Sequence, residues 1–344
     1  MDLIDLFNQE PALQKLWPQL NAGRHLVTGL NGSAKTLMLA TALRQLDRQL
    51  VVIEDNRYHA EELVADLGDL VGEEKVWAFP VEDVLAAEVA VSSPDTKNTR
   101  INTLNWLQKG EAGIIVTSLA GLKRLLPPRA VWQQAGIHLD MDSQVDLPQL
   151  TQQLIDAGYT RDSLVGVPGQ FAIRGGIIDV YPLNADDPVR IELFDTDVDS
   201  IRRFDMRTQR SIRQLNDIDI PPATDLIASR EVLTAAGERL LEEAKAAKKV
   251  AKSKVNKEAL TKGIIATAEQ LAQGETVDQL ALYMPSLYPD AEQLCDYAQA
   301  DALVVFDDYT RLLDADVNLV EETTAWYGGL QSEGRLLPDQ PNPT

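Results

Sequence analysis

A chain of 344 residues is longer than one hydrophobic core usually serves, and 44% hydrophobic with 25% charged residues is an ordinary globular composition. The formal charge of -21 repels polyanions, so tight nucleic-acid binding would need a strongly local basic face, and a single cysteine, Cys295, excludes an internal disulfide framework. His25, His59 and His138 are too scattered to suggest a zinc site, Asp2 and Asp5 stand where an export signal would be basic, and no apolar run approaches the ~20 residues that span a bilayer, so a cytoplasmic protein without a membrane segment is expected.

In chain order, HLVTG, LNGSAK and TLMLATALRQL predict a strand, a glycine-bearing turn and a helix. Apolar LVVIE, helix-like RYHAEELVADL, apolar KVWAF closed by Pro80, helix-like INTLNWLQKG and IIVTS continue the alternation. Strands alternating with helices predict an α/β fold with a doubly wound parallel sheet. Near residue 138 the pattern changes: the helix-like LPQLTQQLIDAGY is followed by the extended runs FAIRGGIIDVYP, VRIELFD, VDSIRRFD and SIRQLNDIDIPP, which suggest a small α+β domain. After Pro221 and Pro222 the chain turns helical and charged, and ALVVFDD near residue 302 reads as a buried strand rejoining the first sheet. The expected organisation is an outer lobe from 1–137 and 223–344 around an inserted domain at 138–222, with the terminal PDQPNPT as a linker.

Between the first strand and helix, Gly29, Gly32, Lys35 and Thr36 sit where a phosphate-binding loop belongs. In such a loop backbone N–H groups cradle phosphates, the lysine reaches the β/γ-phosphates and the hydroxyl holds magnesium. Ala34 replaces the glycine required before the lysine. Asp307 closes an apolar strand as a magnesium-holding acid would, but Asp308 follows where a glutamate usually orients water. The pair reads as a degenerate remnant of a motor lobe, with an active ATPase as the other reading.

In VRIELF, alternation sends Val189, Ile191 and Leu193 one way and Arg190, Glu192 and Phe194 the other. An exposed Phe beside Arg suits an interface. The pattern leaves open whether Phe194 packs under a loop and Arg190 pairs with Glu192 or Asp179. From Thr160 to Arg213 there are eight arginines, no lysine and nine acids, so the region is basic relative to its surroundings and could meet an acidic partner. Lys245, Lys248, Lys249 and Lys252 after Glu242 and Glu243 read as a solvated helix face.

Taken together, GLNGSAKT, FPVEDVLAAEVAVSSPD, RINTLNWLQKGEAGIIVTS, GQFAIRGGIIDVYPL and VRIELFDTDVDSIRRFD resemble the amino-terminal part of bacterial transcription-repair coupling factors (Mfd), which is similar to the repair helicase UvrB in its first lobe and UvrA-binding domain. The resemblance implies a degenerate RecA/helicase-like P-loop lobe with an inserted UvrA-binding domain. It implies docking of UvrA on Arg174 in AIRGG, Arg190 in VRIEL and Phe194 in ELFD, no catalytic residue or metal in this segment, and masking of that surface by a carboxy-terminal domain. RNA polymerase and double-stranded DNA contacts, and the ATP- and magnesium-dependent translocase, would lie in other domains. The alternative is a UvrB-type damage-verifying ATPase, which would carry an intact loop and a tyrosine-rich hairpin, whereas residues 80–100 hold no tyrosine.

Overall fold

The computed structural model describes residues 2–82 and 93–338, so most of FPVEDVLAAEVAVSSPD, the tyrosine-free segment compared with the hairpin and the terminal linker lie largely outside the described residues. The chain forms two compact units, one from residues 1–125 and 293–327, the other from 126–292 and 328–343.

The first unit is α/β. Strands β1 (Gln49–Glu54), β2 (Val76–Phe79), β3 (Gly113–Ser118) and β12 (Leu303–Phe306) pair in parallel in the order β12-β1-β3-β2. Buried on both faces, the inner strand β1 is continuously apolar at Leu50, Val51, Val52 and Ile53. The helix Ser33–Leu46 lays Leu39, Ala40 and Leu43 on the sheet, and Arg57–Val71 adds Ala60, Leu63 and Leu67; both faces follow from apolar residues three and four apart. The second helix starts where the Asn56 side chain accepts a 2.9 Å hydrogen bond from the His59 N–H, and ends at Gly72 with φ 95°.

Two expectations fail here. The run HLVTG is no strand: residues 24–31 carry no regular structure, and Leu26 is 85% exposed. A short apolar run becomes a strand only where a neighbour offers a hydrogen-bonding ladder, and the sheet of described residues ends at β12 without it. The run ALVVFDD does join the first sheet, but as its edge, so Val304 and Phe306 are exposed rather than buried.

The second unit holds the short-strand region. Strands β5 (Thr160–Arg161), β6 (Gln170–Arg174), β7 (Ile177–Val180), β8 (Val189–Phe194), β9 (Asp197–Phe204) and β10 (Ser211–Leu215) form one sheet in reverse sequence order, antiparallel except for β5 with β6. Strands β4 (Ile137–Asp140) and β11 (Asp217–Ile220) pair separately. One face of the sheet carries Phe171, Ile178, Val180, Val189, Ile191 and Ile201 against Leu150 and Leu154 of the helix Leu147–Asp156. Alternation, interrupted by a register shift between β8 and β9 at Glu192/Leu193, sends Asp179, Arg190, Glu192 and Arg202 to the other face, which also holds the buried Ala172 and Phe204.

This unit is larger than the expected 138–222. The helix Arg230–Val250 belongs to it, with Leu233, Ala236, Leu240 and Ala244 buried and Gly237 so close to the helix Ala266–Ala272 that a Cβ would lie 2.1 Å from the Ala272 nitrogen. The Tyr288 hydroxyl donates to the Ile227 carbonyl at 2.9 Å within this helical segment, and only residues 293–327 return to the first unit. Of the lysine stripe, Lys245 and Lys249 are exposed, and Lys252 lies past the helix end at Ala251. We propose that 138–222 folds as a unit by itself, because all of its buried apolar cluster but Ala223 lies within it. Expressed alone, it is expected to melt cooperatively by circular dichroism; an unfolded spectrum would refute this.

Candidate functional site

The polar face of the six-stranded sheet is built by register. Ala172, Asp179, Arg190 and Arg202 are successive cross-strand neighbours on β6, β7, β8 and β9; Arg174 and Glu192 each stand opposite Ile177, on strands β6 and β8. Asp179 is 1% exposed, and a buried carboxylate is tolerated only when its oxygens are hydrogen-bonded. Arg190 supplies that with two bonds, Nε to Oδ1 at 2.6 Å and Nη2 to Oδ2 at 2.8 Å, and Arg174 Nη2 donates to Oδ2 at 2.5 Å. Arg190 also donates to Gln209 Oε1 at 2.7 Å and lies 4.3 Å above the centre of the Phe204 ring. Its hydrogen bonds to Asp179 outweigh the cost of partial burial and raise its pKa further. Beside it Arg202 pairs with Glu192, donating from Nη1 to Oε2 at 2.8 Å, and this bond holds the Glu192 carboxyl below its ordinary pKa. Three arginines thus face two carboxylates, with one positive charge in excess.

The alternation read in VRIELF is present, but the face is not free at Arg190, whose side chain is only 12% exposed; of the alternatives, pairing with Asp179 is the one observed. Arg174 is more accessible at 43%. Phe194 is not packed under a loop. It stands at the tip of the β8–β9 hairpin, 78% exposed, next to Asp195 in the left-handed conformation at φ 60°, which Asp tolerates. Sequence reading offered Asp179 only as one of two possible partners of Arg190 and missed that it also holds Arg174, although one acid inside the apolar run IIDV was a signal for a paired buried charge.

In the first unit, Gly29 (φ 88°) and Gly32 (φ 53°) take conformations that side chains rarely adopt and turn the chain into the helix at Ser33. Ala34 lies inside that helix's first turn and Thr36 is buried. Lys35 reaches the carboxy-terminal ends of β1 and β12, where it donates to Glu54 Oε1 at 3.1 Å and to Asp307 Oδ2. Burial opposes the charge on Lys35, but the hydrogen bond to Asp307 and the fields of both acids outweigh it and raise its pKa. Burial, then repulsion from Asp307, pushes the Glu54 carboxyl up to about 7. Asp308 (φ 45°) accepts from the Arg311 N–H at 3.3 Å. Glu54 and Asp307 therefore both engage the ammonium that a phosphate would need.

Glu54 binds its proton more tightly folded than unfolded. Its contribution to stability is complete below its ordinary pKa of 4.5 and is lost as the pH rises through about 7. Glu54→Gln is expected to flatten the decline in melting temperature between about pH 5 and about pH 8; an equally steep decline in the variant would contradict the assignment.

Residues 137–226 match the family described as the UvrB interaction domain. The chain is 36% identical over 314 residues to the transcription-repair-coupling factor of Bacillus subtilis, covering 91% of this chain and 27% of the relative. It is 34% identical over 336 residues to that of Staphylococcus aureus strain MRSA252, covering 96% of this chain and 28% of the relative. The chain thus spans little more than a quarter of these relatives. With a match to the UvrB interaction domain over its six-stranded sheet and a third of its residues shared with these relatives over nearly its whole length, the chain is similar to the amino-terminal part of the transcription-repair-coupling factors.

Proposed function

We propose that this chain is a docking module for UvrA, and that its polar sheet face with Phe194 is the docking surface. The observation that carries the reading is Phe194 itself, a large apolar side chain left 78% exposed at a hairpin tip beside an arginine-rich face. Folding gains nothing from that exposure, whereas an interface core gains from burying an aromatic next to arginine. The name of the matching domain supports the same partner. In the whole protein, docking would bring UvrA to stalled RNA polymerase, with the DNA translocase and the masking domain supplied from elsewhere in the longer polypeptide. Pull-down and calorimetry with purified UvrA, comparing the parent with Phe194→Ala and Arg174→Ala, test it; equal binding by all three refutes the surface.

The module is not an ATPase in this reading, and its P-loop is degenerate. Lys35 is already engaged by Glu54 and Asp307, and a nucleotide phosphate would have to displace both partners. ATP turnover, with or without DNA, is expected to stay at background. A rate abolished by Lys35→Ala would instead favour the damage-verifying ATPase.

A further inference from the structure

Asp179 is buried beneath the docking face, and it is hard to explain as an aid to attraction. An acidic partner would be drawn more strongly to the two arginines if that carboxylate were absent. Folding alone does not require it either, since a buried ion pair can often be replaced by apolar residues of similar volume without loss of stability. What Asp179 does is geometric. Its Oδ1 accepts from Arg190 Nε and its Oδ2 from Arg190 Nη2 and Arg174 Nη2, so one carboxylate fixes the plane of Arg190 and tethers Arg174 beside it. Arg190 is held from further sides by Gln209 and the Phe204 ring, and little of it reaches the surface. Arg174 is tied to Asp179 through Nη2 and is 43% exposed.

Building on the docking reading, we propose that Asp179 is a positioning residue: anchored by Arg190, it fixes the orientation in which Arg174 meets a carboxylate of the partner. Arg190 then acts through Asp179 rather than by contact. A free arginine must be immobilised on binding, while one already held by Asp179 has been ordered during folding. Losing that order weakens binding by roughly tenfold.

The sign of one substitution separates this from plain electrostatics. Asp179→Asn removes a negative charge next to the contact arginine; attraction alone would tighten UvrA binding, whereas positioning weakens it by roughly tenfold. Calorimetry with the full chain and purified UvrA, on protein whose circular dichroism matches the parent, is the measurement. The weakening should vanish in an Arg174→Ala background and remain in a Phe194→Ala background, a pattern that general loosening of the fold would not produce. Should Asp179→Asn fail to fold, Arg174→Lys serves instead. It keeps the charge but not the planar fork, and is expected to bind nearly as weakly as Arg174→Ala. Unchanged or tighter binding by Asp179→Asn, or parent-like binding by Arg174→Lys, overturns the inference. If Arg174→Ala and Phe194→Ala also bind like the parent, the docking surface itself is misassigned.

Discussion

Arg190→Ala is expected to destabilise the unit that holds the six-stranded sheet by about 3 kcal/mol, the scale set by breaking one side of a buried ion pair. The substitution strips the almost fully buried Asp179 of two of its three hydrogen bonds and removes the cation stacked on Phe204. Arg174 remains as partner, but through a single bond from a more exposed side chain. Urea titration followed by circular dichroism should show a lower midpoint with the slope preserved. The neighbouring Arg202 is a built-in control: its pair with Glu192 is more exposed on both sides, so Arg202→Ala should cost under about 1 kcal/mol. A loss at Arg190 no larger than at Arg202 would mean that Asp179 is solvated when Arg190 is gone. The result bears on function, because weaker UvrA binding by an Arg190 variant would then report a disturbed scaffold as well as any lost contact.

Phe194→Ala is the reverse case, with a large expected effect on binding and little on the fold. Truncation of a central aromatic costs ~2 kcal/mol or more, which is at least a roughly thirtyfold loss of affinity for UvrA. The side chain is 78% exposed and outside the buried clusters of its unit, so the melting profile should match the parent. Because the contribution is apolar, it should persist at high salt, whereas that of Arg174 should shrink as its charge is screened. A loss under about threefold, from protein shown to be folded, would remove Phe194 from the centre of the surface. A salt-sensitive loss would assign the effect to the charges around it.

Much of this was legible in the sequence because it rests on periodicity. Continuous apolar LVVIE and IIVTS separated by helical spacing specify buried parallel strands with covering helices, and VRIELF alternates with period two, so the sides taken by Ile191 and Arg190 follow from covalent geometry alone. The motif residues Lys35 and Asp307 were also readable as partners in one site from their motifs, and they meet because Lys35, in the first turn of the helix Ser33–Leu46, reaches the carboxy-terminal end of β12. What periodicity cannot specify is which strand lies next to which, and therefore what a side chain meets. HLVTG has the composition of a strand and is none, because no strand of the described sheet lies beside it, and ALVVFDD became an edge although it reads as an interior strand. The helices from 230 to 292 joined the second unit through contacts such as the paired backbone bonds between Leu126 and Glu292, which no local pattern announces. The polar face shows the division most clearly. Sequence alone determined that Arg190 points away from the core, but only the pairing of β7 with β8 decided that it points at Asp179. A charge is free or spent according to its neighbours in space, and those are set by strand register across residues 11 apart in the chain.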